Sequence, residues 1–108
     1  MLKAKLLIVD DDQGIVRAFE RCFKHEYDVT TAFTLEAATA VISMVDVVLS
    51  DWNIGPVTPV DLIGKKPMVV MTGRPEAAQE VIAGRCQVLT KPASNDDVRN
   101  AIKAALAK

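Results

Sequence analysis

The chain has 108 residues, of which 50% are apolar and 25% charged, and its formal net charge is −1. This length suits one domain with a real core and not two, so we expect a single domain over residues 1–108. The balanced charge excludes the broad basic surface of a nucleic-acid-binding protein, and the apolar run at residues 6–9 is too short for a signal peptide or a membrane span. We therefore expect a cytoplasmic protein with neither nucleic acid nor membrane as a direct partner.

Four short apolar runs and one segment of high β-propensity, five runs in all, alternate with stretches of helical periodicity along the chain. The runs predict strands at residues 6–9, 27–32, 47–50, 68–71 and 88–90, and the alternation in the second suits a sheet edge. The intervening stretches predict amphipathic helices that begin near Gly14, after a cap at Thr34, at Pro75 and after a cap at Ser94. This alternation predicts an α/β fold, a doubly wound parallel sheet with helices on both faces.

Glycine and proline dominate the segment between the third and fourth predicted strands. Thr58 before Pro59 is typical of a helix N-cap followed by the first helical residue, and Gly64 is typical of a helix end. Only one or two helical turns fit between these residues. We therefore predict a shortened third helix in this crossover.

Polar residues of three kinds follow four of the predicted strands. They are Asp10 and Asp11 after the first, Asp51 after the third, Thr72 after the fourth and Lys91 after the fifth. Open α/β sheets bind ligands at the carboxyl edge, where these strand ends would meet. Converging carboxylates repel one another unless a cation is present, and oxygen ligands beside a phosphoryl group favour Mg²⁺. The pattern therefore predicts a Mg²⁺ site.

The chemistry indicated by this edge is phosphoryl transfer. Asp51 is placed to attack phosphorus and form an acyl phosphate. Thr72 offers a hydroxyl, Gly73 leaves room for a phosphoryl group, and Lys91 offers a positive charge to the phosphoryl oxygens. A simpler interpretation of residues 10–12 is that they begin the following helix, where the helix dipole favours acids.

On these residues, the whole chain resembles the receiver domain of two-component response regulators. The resemblance is carried by the acidic pair in Leu7-Ile8-Val9-Asp10-Asp11, by Asp51 as the phosphoacceptor, by Thr72 as the switch hydroxyl and by the pair Lys91-Pro92. The segment Ser50-Asp51-Trp52-Asn53 is especially similar to the acceptor segment of chemotaxis receivers.

The resemblance implies a flavodoxin-like sheet of five strands in the order 2-1-3-4-5 and a cis peptide bond between Lys91 and Pro92. It implies that Asp11, Asp51 and the backbone carbonyl of Asn53 bind Mg²⁺ directly, whereas Asp10 acts mainly through water. It also implies a histidine kinase or phosphotransfer protein as the phosphoryl donor and a downstream protein or domain as the output partner. Catalysis would be limited to the domain's own Mg²⁺-dependent phosphorylation and dephosphorylation, which is not metabolic turnover.

Three features depart from the family's pattern. The crossover at residues 55–66 is short, and Ala93 stands after Lys91-Pro92 where an apolar ring is common. Val88, three residues before Lys91, stands where receivers carry an aromatic ring that moves inward with the switch hydroxyl. We therefore expect weaker coupling between the site and the surface through this position.

Two other functions fit parts of the pattern. The Asp-x-Asp in residues 10–12, with a later Thr and Lys, also suits a phosphohydrolase of the haloacid dehalogenase type with Asp10 as nucleophile. Such enzymes need further acids on another strand, whereas Asp96 and Asp97 follow Lys91 with no helix and strand between. A docking module that keeps the site residues and has lost the switch would account for Val88 and the short crossover.

Overall fold

The computed structural model describes residues 3–107. The strands are β1 (Lys5–Val9), β2 (Asp28–Ala32), β3 (Val47–Asp51), β4 (Met68–Thr72) and β5 (Gln87–Thr90). The α-helices are α1 (Gln13–Phe23), α2 (Leu35–Val41), α3 (Pro75–Ile82) and α4 (Asn95–Leu106), with 3₁₀ turns at Ile42–Met44 and Val60–Leu62. Each predicted strand is therefore confirmed to within a residue at either end.

All five strands are parallel and lie in the order β2-β1-β3-β4-β5, as the resemblance implies. The register aligns the strand ends: Val9 is opposite Ser50, Asp51 is opposite Met71, and Thr72 is opposite Thr90. The residues that follow β1, β3, β4 and β5 therefore emerge at the same edge of the sheet.

Both faces of the sheet are covered by helices, which explains why the strands read as continuous apolar runs. Alternate residues of β1 belong to opposite core layers: Leu7 and Val9 pack on the α2 and α3 side, whereas Leu6 and Ile8 pack on the α1 and α4 side. Burial on both faces fixes the position of each strand end and hence of the polar residues beyond it.

Side-chain caps begin α2 and α4 at the predicted residues. The Thr34 hydroxyl accepts a hydrogen bond from the amide of Ala37 at 3.1 Å. The Ser94 hydroxyl accepts from the amide of Asp97 at 3.0 Å, and the Asp97 carboxylate accepts from the amide of Ser94 at 3.3 Å. This is a capping box of the predicted kind. No helix within residues 3–107 is long and apolar enough to cross a membrane.

The crossover from β3 to β4 differs in detail from the prediction. The shortened helix is a single 3₁₀ turn, Val60–Leu62, and Gly64 follows it with a positive φ of 90°. The predicted cap at Thr58 is wrong, because Pro59 occupies the N-cap position and no side chain caps the turn. A residue before proline is pushed toward extended backbone, so Thr58 stays outside the turn, whose first carbonyl is that of Pro59.

Candidate functional site

Three carboxylates converge at the carboxyl edge of the sheet. One oxygen atom from each of Asp10, Asp11 and Asp51 lies within 4.8 Å of the others. Asp10 and Asp51 are buried, with 3% and 8% of their surfaces exposed, whereas Asp11 is exposed. The predicted acidic group is thus assembled, with two members shielded from water and the third at the opening.

Two oxygen atoms of this group lack hydrogen bonds. Asp10 Oδ2 and Asp51 Oδ1 are buried, and neither has a hydrogen-bond partner within residues 3–107. Buried polar atoms without partners are unusual because they lose the hydrogen bonds that water would give. Carboxylate oxygens arranged in this way suit a hard divalent cation, so the residues present fit Mg²⁺.

The pKa of Asp10 is raised to about 6, mainly because burial disfavours the charged form. The negative charge of Asp51 and the nearby Asp11 carboxyl act in the same direction. The amide of Asp12, which donates to Asp10 Oδ1 at 3.0 Å, has the opposite effect. A bound cation would favour the charged form of Asp10 for the same reason that the neighbouring acids disfavour it.

Lys91 supplies a positive charge to Asp51. Its Nζ lies 2.8 Å from Asp51 Oδ1, and because this oxygen makes no aligned hydrogen bond, the contact is a close charge pair. The peptide bond between Lys91 and Pro92 is cis, as the resemblance implies. The amide of Lys91 donates to the carbonyl of Thr72 at 2.8 Å, which ties the end of β5 to the end of β4.

Thr72 is buried at the end of β4, in the strand next to that of Asp51. Its hydroxyl oxygen accepts a hydrogen bond from the amide of Arg74 at 3.0 Å, so the hydroxyl proton remains available to another acceptor. Gly73 is exposed, and a Cβ atom placed there would meet no heavy atom within 4 Å. The space next to the Gly73 backbone is therefore open, and the role of Gly73 toward a phosphoryl group stays a prediction.

The turn after β3 contains the remaining predicted residue, Asn53. It is exposed and follows Trp52, whose amide donates to the carbonyl of Met71 at 2.8 Å. The role of the Asn53 carbonyl as a Mg²⁺ ligand stays a prediction. The chain then turns at Gly55, where a Cβ atom would lie 4.0 Å from Asp11 Oδ2, so the crossover passes beside the opening of the acidic group.

The simpler interpretation of the acidic triplet, that it begins the following helix, holds for Asp12, which caps α1. Asp10 and Asp11 instead join Asp51. Two details of the site were not predicted from the sequence: the cap formed by the Asp12 side chain and a hydrogen bond of Ser50. An Asp directly before a helical run is a signal that could have indicated this cap. The buried Ser50 hydroxyl donates to the carbonyl of Asp51 at 2.8 Å, and no sequence signal indicates that contact.

The acids that a dehalogenase-type phosphohydrolase would need are engaged elsewhere. Asp97 forms the capping box of α4, and Asp96 pairs with Arg99 at 2.6 Å. Both lie in the first turn of α4 and are occupied by local contacts. Of the alternatives, this one has the least support.

Solved structures with the same architecture include receiver domains. A response regulator receiver domain from Clostridium thermocellum is 20% identical, with a TM-score of 0.82 over 96% of this chain and 94% of that one. This chain has the receiver-domain fold. The receiver domain of an HD domain-containing protein from Pseudomonas fluorescens Pf-5 also has this fold, with 20% identity and a TM-score of 0.82 over 99% of this chain and 89% of that one. The chemotaxis response regulator CheY4 of Vibrio cholerae has it too, with 22% identity and a TM-score of 0.80 over 96% of this chain and 99% of that one. No protein-family model and no curated protein matches the sequence.

Proposed function

We propose that this chain is the phosphoacceptor receiver of a two-component phosphorelay. Asp51 takes a phosphoryl group from a histidine kinase or a phosphotransfer protein, with Mg²⁺ as cofactor, and the modification switches a protein-interaction surface. The observation that carries the proposal is the charge pair of Lys91 and Asp51, 2.8 Å apart, inside a group of converging carboxylates on a receiver fold. An acyl-phosphate site needs this combination of a carboxylate nucleophile and cationic partners.

The transfer step follows from the groups around Asp51. A carboxylate oxygen attacks phosphorus, the bond from phosphorus to the donor's histidine nitrogen breaks, and the electron pair stays on the imidazole. Lys91 pairs with the phosphoryl oxygens, and Thr72 donates its hydroxyl proton to one of them. Asp10, Asp11 and Asp51 would hold Mg²⁺, which would supply positive charge against that of the phosphoryl oxygens.

The switch follows from the charge that phosphorylation adds. An aspartyl phosphate attracts Thr72 and Lys91 more strongly than a carboxylate does, because it carries more charge and more acceptor oxygens. Thr72 ends β4 just before α3, and Lys91 follows β5 just before α4. A shift in these two residues biases the equilibrium between two arrangements of the surface made by α3, β5 and α4.

Acetyl phosphate with Mg²⁺, followed by intact mass measurement, tests the proposal. The wild-type protein should gain one phosphoryl group, and Asp51→Asn should gain none. Asp61→Asn, which changes an exposed aspartate of the 3₁₀ turn, should behave as the wild type. A wild type without a mass gain, or a gain that persists in Asp51→Asn, would show that Asp51 is not the phosphoacceptor.

A docking module that has lost the switch is the second candidate function. The observation that favours it is Val88, which is half-buried and packs on the core layer beside α2 and α3. A small, packed residue at this position leaves no ring to move when Thr72 changes its contacts. Such a module would bind its partner equally well with and without phosphorylation.

A further inference from the structure

The carboxylate of Asp12 is committed to the start of α1. Its Oδ1 accepts hydrogen bonds from the amides of Gly14 at 2.9 Å and Ile15 at 3.2 Å, and its carbonyl accepts from the amide of Val16 at 3.1 Å. The backbone of Asp12 is extended, with φ −83° and ψ 105°, as expected of an N-cap residue. The space for this cap is tight, because a Cβ atom at Gly14 would lie 3.2 Å from Asp12 Oδ1.

The backbone of the same residue holds Asp10. The amide of Asp12 donates to Asp10 Oδ1 at 3.0 Å, whereas Asp10 Oδ2 is buried without a hydrogen-bond partner within residues 3–107. The two oxygens of Asp10 are therefore unequal, since one is bonded to the backbone and the other is left for a cation. This arrangement lasts only while the turn from Asp10 to Asp12 keeps its shape.

Asp12 is not itself one of the converging carboxylates. The group that could hold a metal ion within residues 3–107 comprises Asp10, Asp11 and Asp51. The side chain of Asp12 instead contacts the amides of the first turn of α1. Asp12 thus touches the site through its backbone and touches the helix through its side chain.

We propose that Asp12 is a positioning residue of the cation site. Its carboxylate caps α1 and thereby fixes the turn that presents Asp10 Oδ2 and Asp11 to Mg²⁺. This inference rests on the proposed function, because it concerns the Mg²⁺ site of that function. It assigns Asp12 a role that depends on the hydrogen-bonding capacity of its side chain and not on its charge.

Two variants separate the cap from the charge. Asp12→Asn removes the charge and keeps a side-chain oxygen that caps as well as Asp does. Asp12→Ala removes both. Mg²⁺ is titrated into each labelled protein in the absence of phosphoryl donor, and the dissociation constant is obtained from the amide NMR shifts of Asp11 and Asp12. Groups that orient a metal ligand change metal affinity about 10-fold or more when they are removed.

We expect Asp12→Asn to stay within about threefold of the wild-type dissociation constant, because the exposed charge is screened, and Asp12→Ala to raise it about tenfold. Thr34→Ala, which removes the matched cap of α2, controls for lost stability: its Tm should fall by about 4–8 °C, the shift for the loss of one cap. Its Mg²⁺ affinity should not change.

Each outcome decides the inference. Equal weakening in Asp12→Asn and Asp12→Ala would assign the effect to charge and overturn it, as would an unchanged affinity in Asp12→Ala. If Thr34→Ala weakened Mg²⁺ binding by the same factor, the effect would be due to lost stability, and the inference would also be overturned. A wild-type protein that binds no Mg²⁺ would remove the cation site, and the proposed function would then fail together with this inference.

Discussion

Lys91 Nζ lies 2.8 Å from Asp51 Oδ1, and the pair joins the loop after β5 to the end of β3. The lysine side chain is 39% exposed and that of the aspartate is 12% exposed, so the aspartate is the more shielded partner. The exposed ammonium lowers the repulsion among the three carboxylates. This effect is moderate, because water screens the charge of the ammonium. A divalent cation bound by the three acids would therefore act on the same carboxylate as Lys91.

This relationship predicts that Lys91→Met slows phosphorylation without weakening Mg²⁺ binding. Removing the ammonium should leave Mg²⁺ affinity unchanged or raise it several-fold, because one cation no longer acts on Asp51. Phosphorylation by acetyl phosphate should slow at least about tenfold, because charge on the phosphoryl oxygens loses a partner. The fluorescence of Trp52, the single Trp of the chain and the residue after Asp51, should report the Mg²⁺ titration.

Lys65→Met is the matched control, because Lys65 is exposed in the loop before β4, at the opposite edge of the sheet. It should leave both the titration and the phosphorylation rate unchanged. Clearly weaker Mg²⁺ binding in Lys91→Met would mean that the lysine organises the cation site and does not compete with the cation.

The pKa of Asp10, raised to about 6 from 3.8, predicts how stability depends on pH without divalent cations. Between these values the folded protein holds a proton that the unfolded chain has released, so the free energy of unfolding falls as pH rises from about 4 to about 7. Asp10→Asn cannot lose a proton. It should therefore be more stable than the wild type at pH 7.5, by up to about 3 kcal/mol, and no more stable near pH 4.

Urea unfolding in a chelating buffer at the two pH values measures this difference. Asp61→Asn is the control for a lost surface charge and should not reproduce the gain at pH 7.5. Saturating Mg²⁺ should reduce or reverse the advantage of Asp10→Asn, because the cation stabilises the wild-type carboxylate. An Asp10→Asn protein that is less stable than the wild type at pH 7.5 in the chelator would show that burial does not destabilise the charged form.

Arg74 and Asn53 are expected to set the lifetime of the phosphorylated state. Arg74 is two residues after Thr72, Asn53 is two residues after Asp51, and both are exposed at the edge where the site opens. Bulky side chains there restrict the approach of a hydrolytic water, so Arg74→Ala with Asn53→Ala should change the dephosphorylation rate by several-fold. The loss of phosphoryl mass over time measures it, with Arg85→Ala as a control at the other edge. Equal rates in the double variant and the wild type would contradict this role.

Sequence reasoning was most accurate where one physical cause dominated. The strand ends were predictable because apolar runs buried on both faces end where polar residues begin, as with Val9 before Asp10. The cap at Ser94 was predictable because Asp97 stands at the matching position of a capping box. The cap at Thr58 was wrong because local preferences could not show that Pro59 would supply the first carbonyl of the turn.

The inner geometry of the site was beyond sequence reasoning for a different reason. Parallel strand order implied that Asp10 and Asp51 would meet at one edge, and they do. The unequal oxygens of Asp10 depend on the side-chain rotamer and on a backbone amide from Asp12. Such contacts depend on a few side-chain and backbone torsion angles, which residue types and spacing do not specify.

Val88 leads to a prediction about how a phosphorylation signal would reach the surface. Thr72 is joined to α3 by two residues, and Lys91 is joined to α4 through Pro92, Ala93 and the cap Ser94. We expect these short connections to transmit a shift of Thr72 or Lys91 without a mobile ring. Beryllofluoride with Mg²⁺ mimics an acyl phosphate, so its addition to the wild type should change the NMR shifts of amides in α3 and α4. Its addition to Val88→Ala should change the shifts of the same amides. Shifts confined to the surroundings of Asp51 in the wild type would favour the docking module, whereas loss of the α4 shifts in Val88→Ala would show that the valine itself carries the signal.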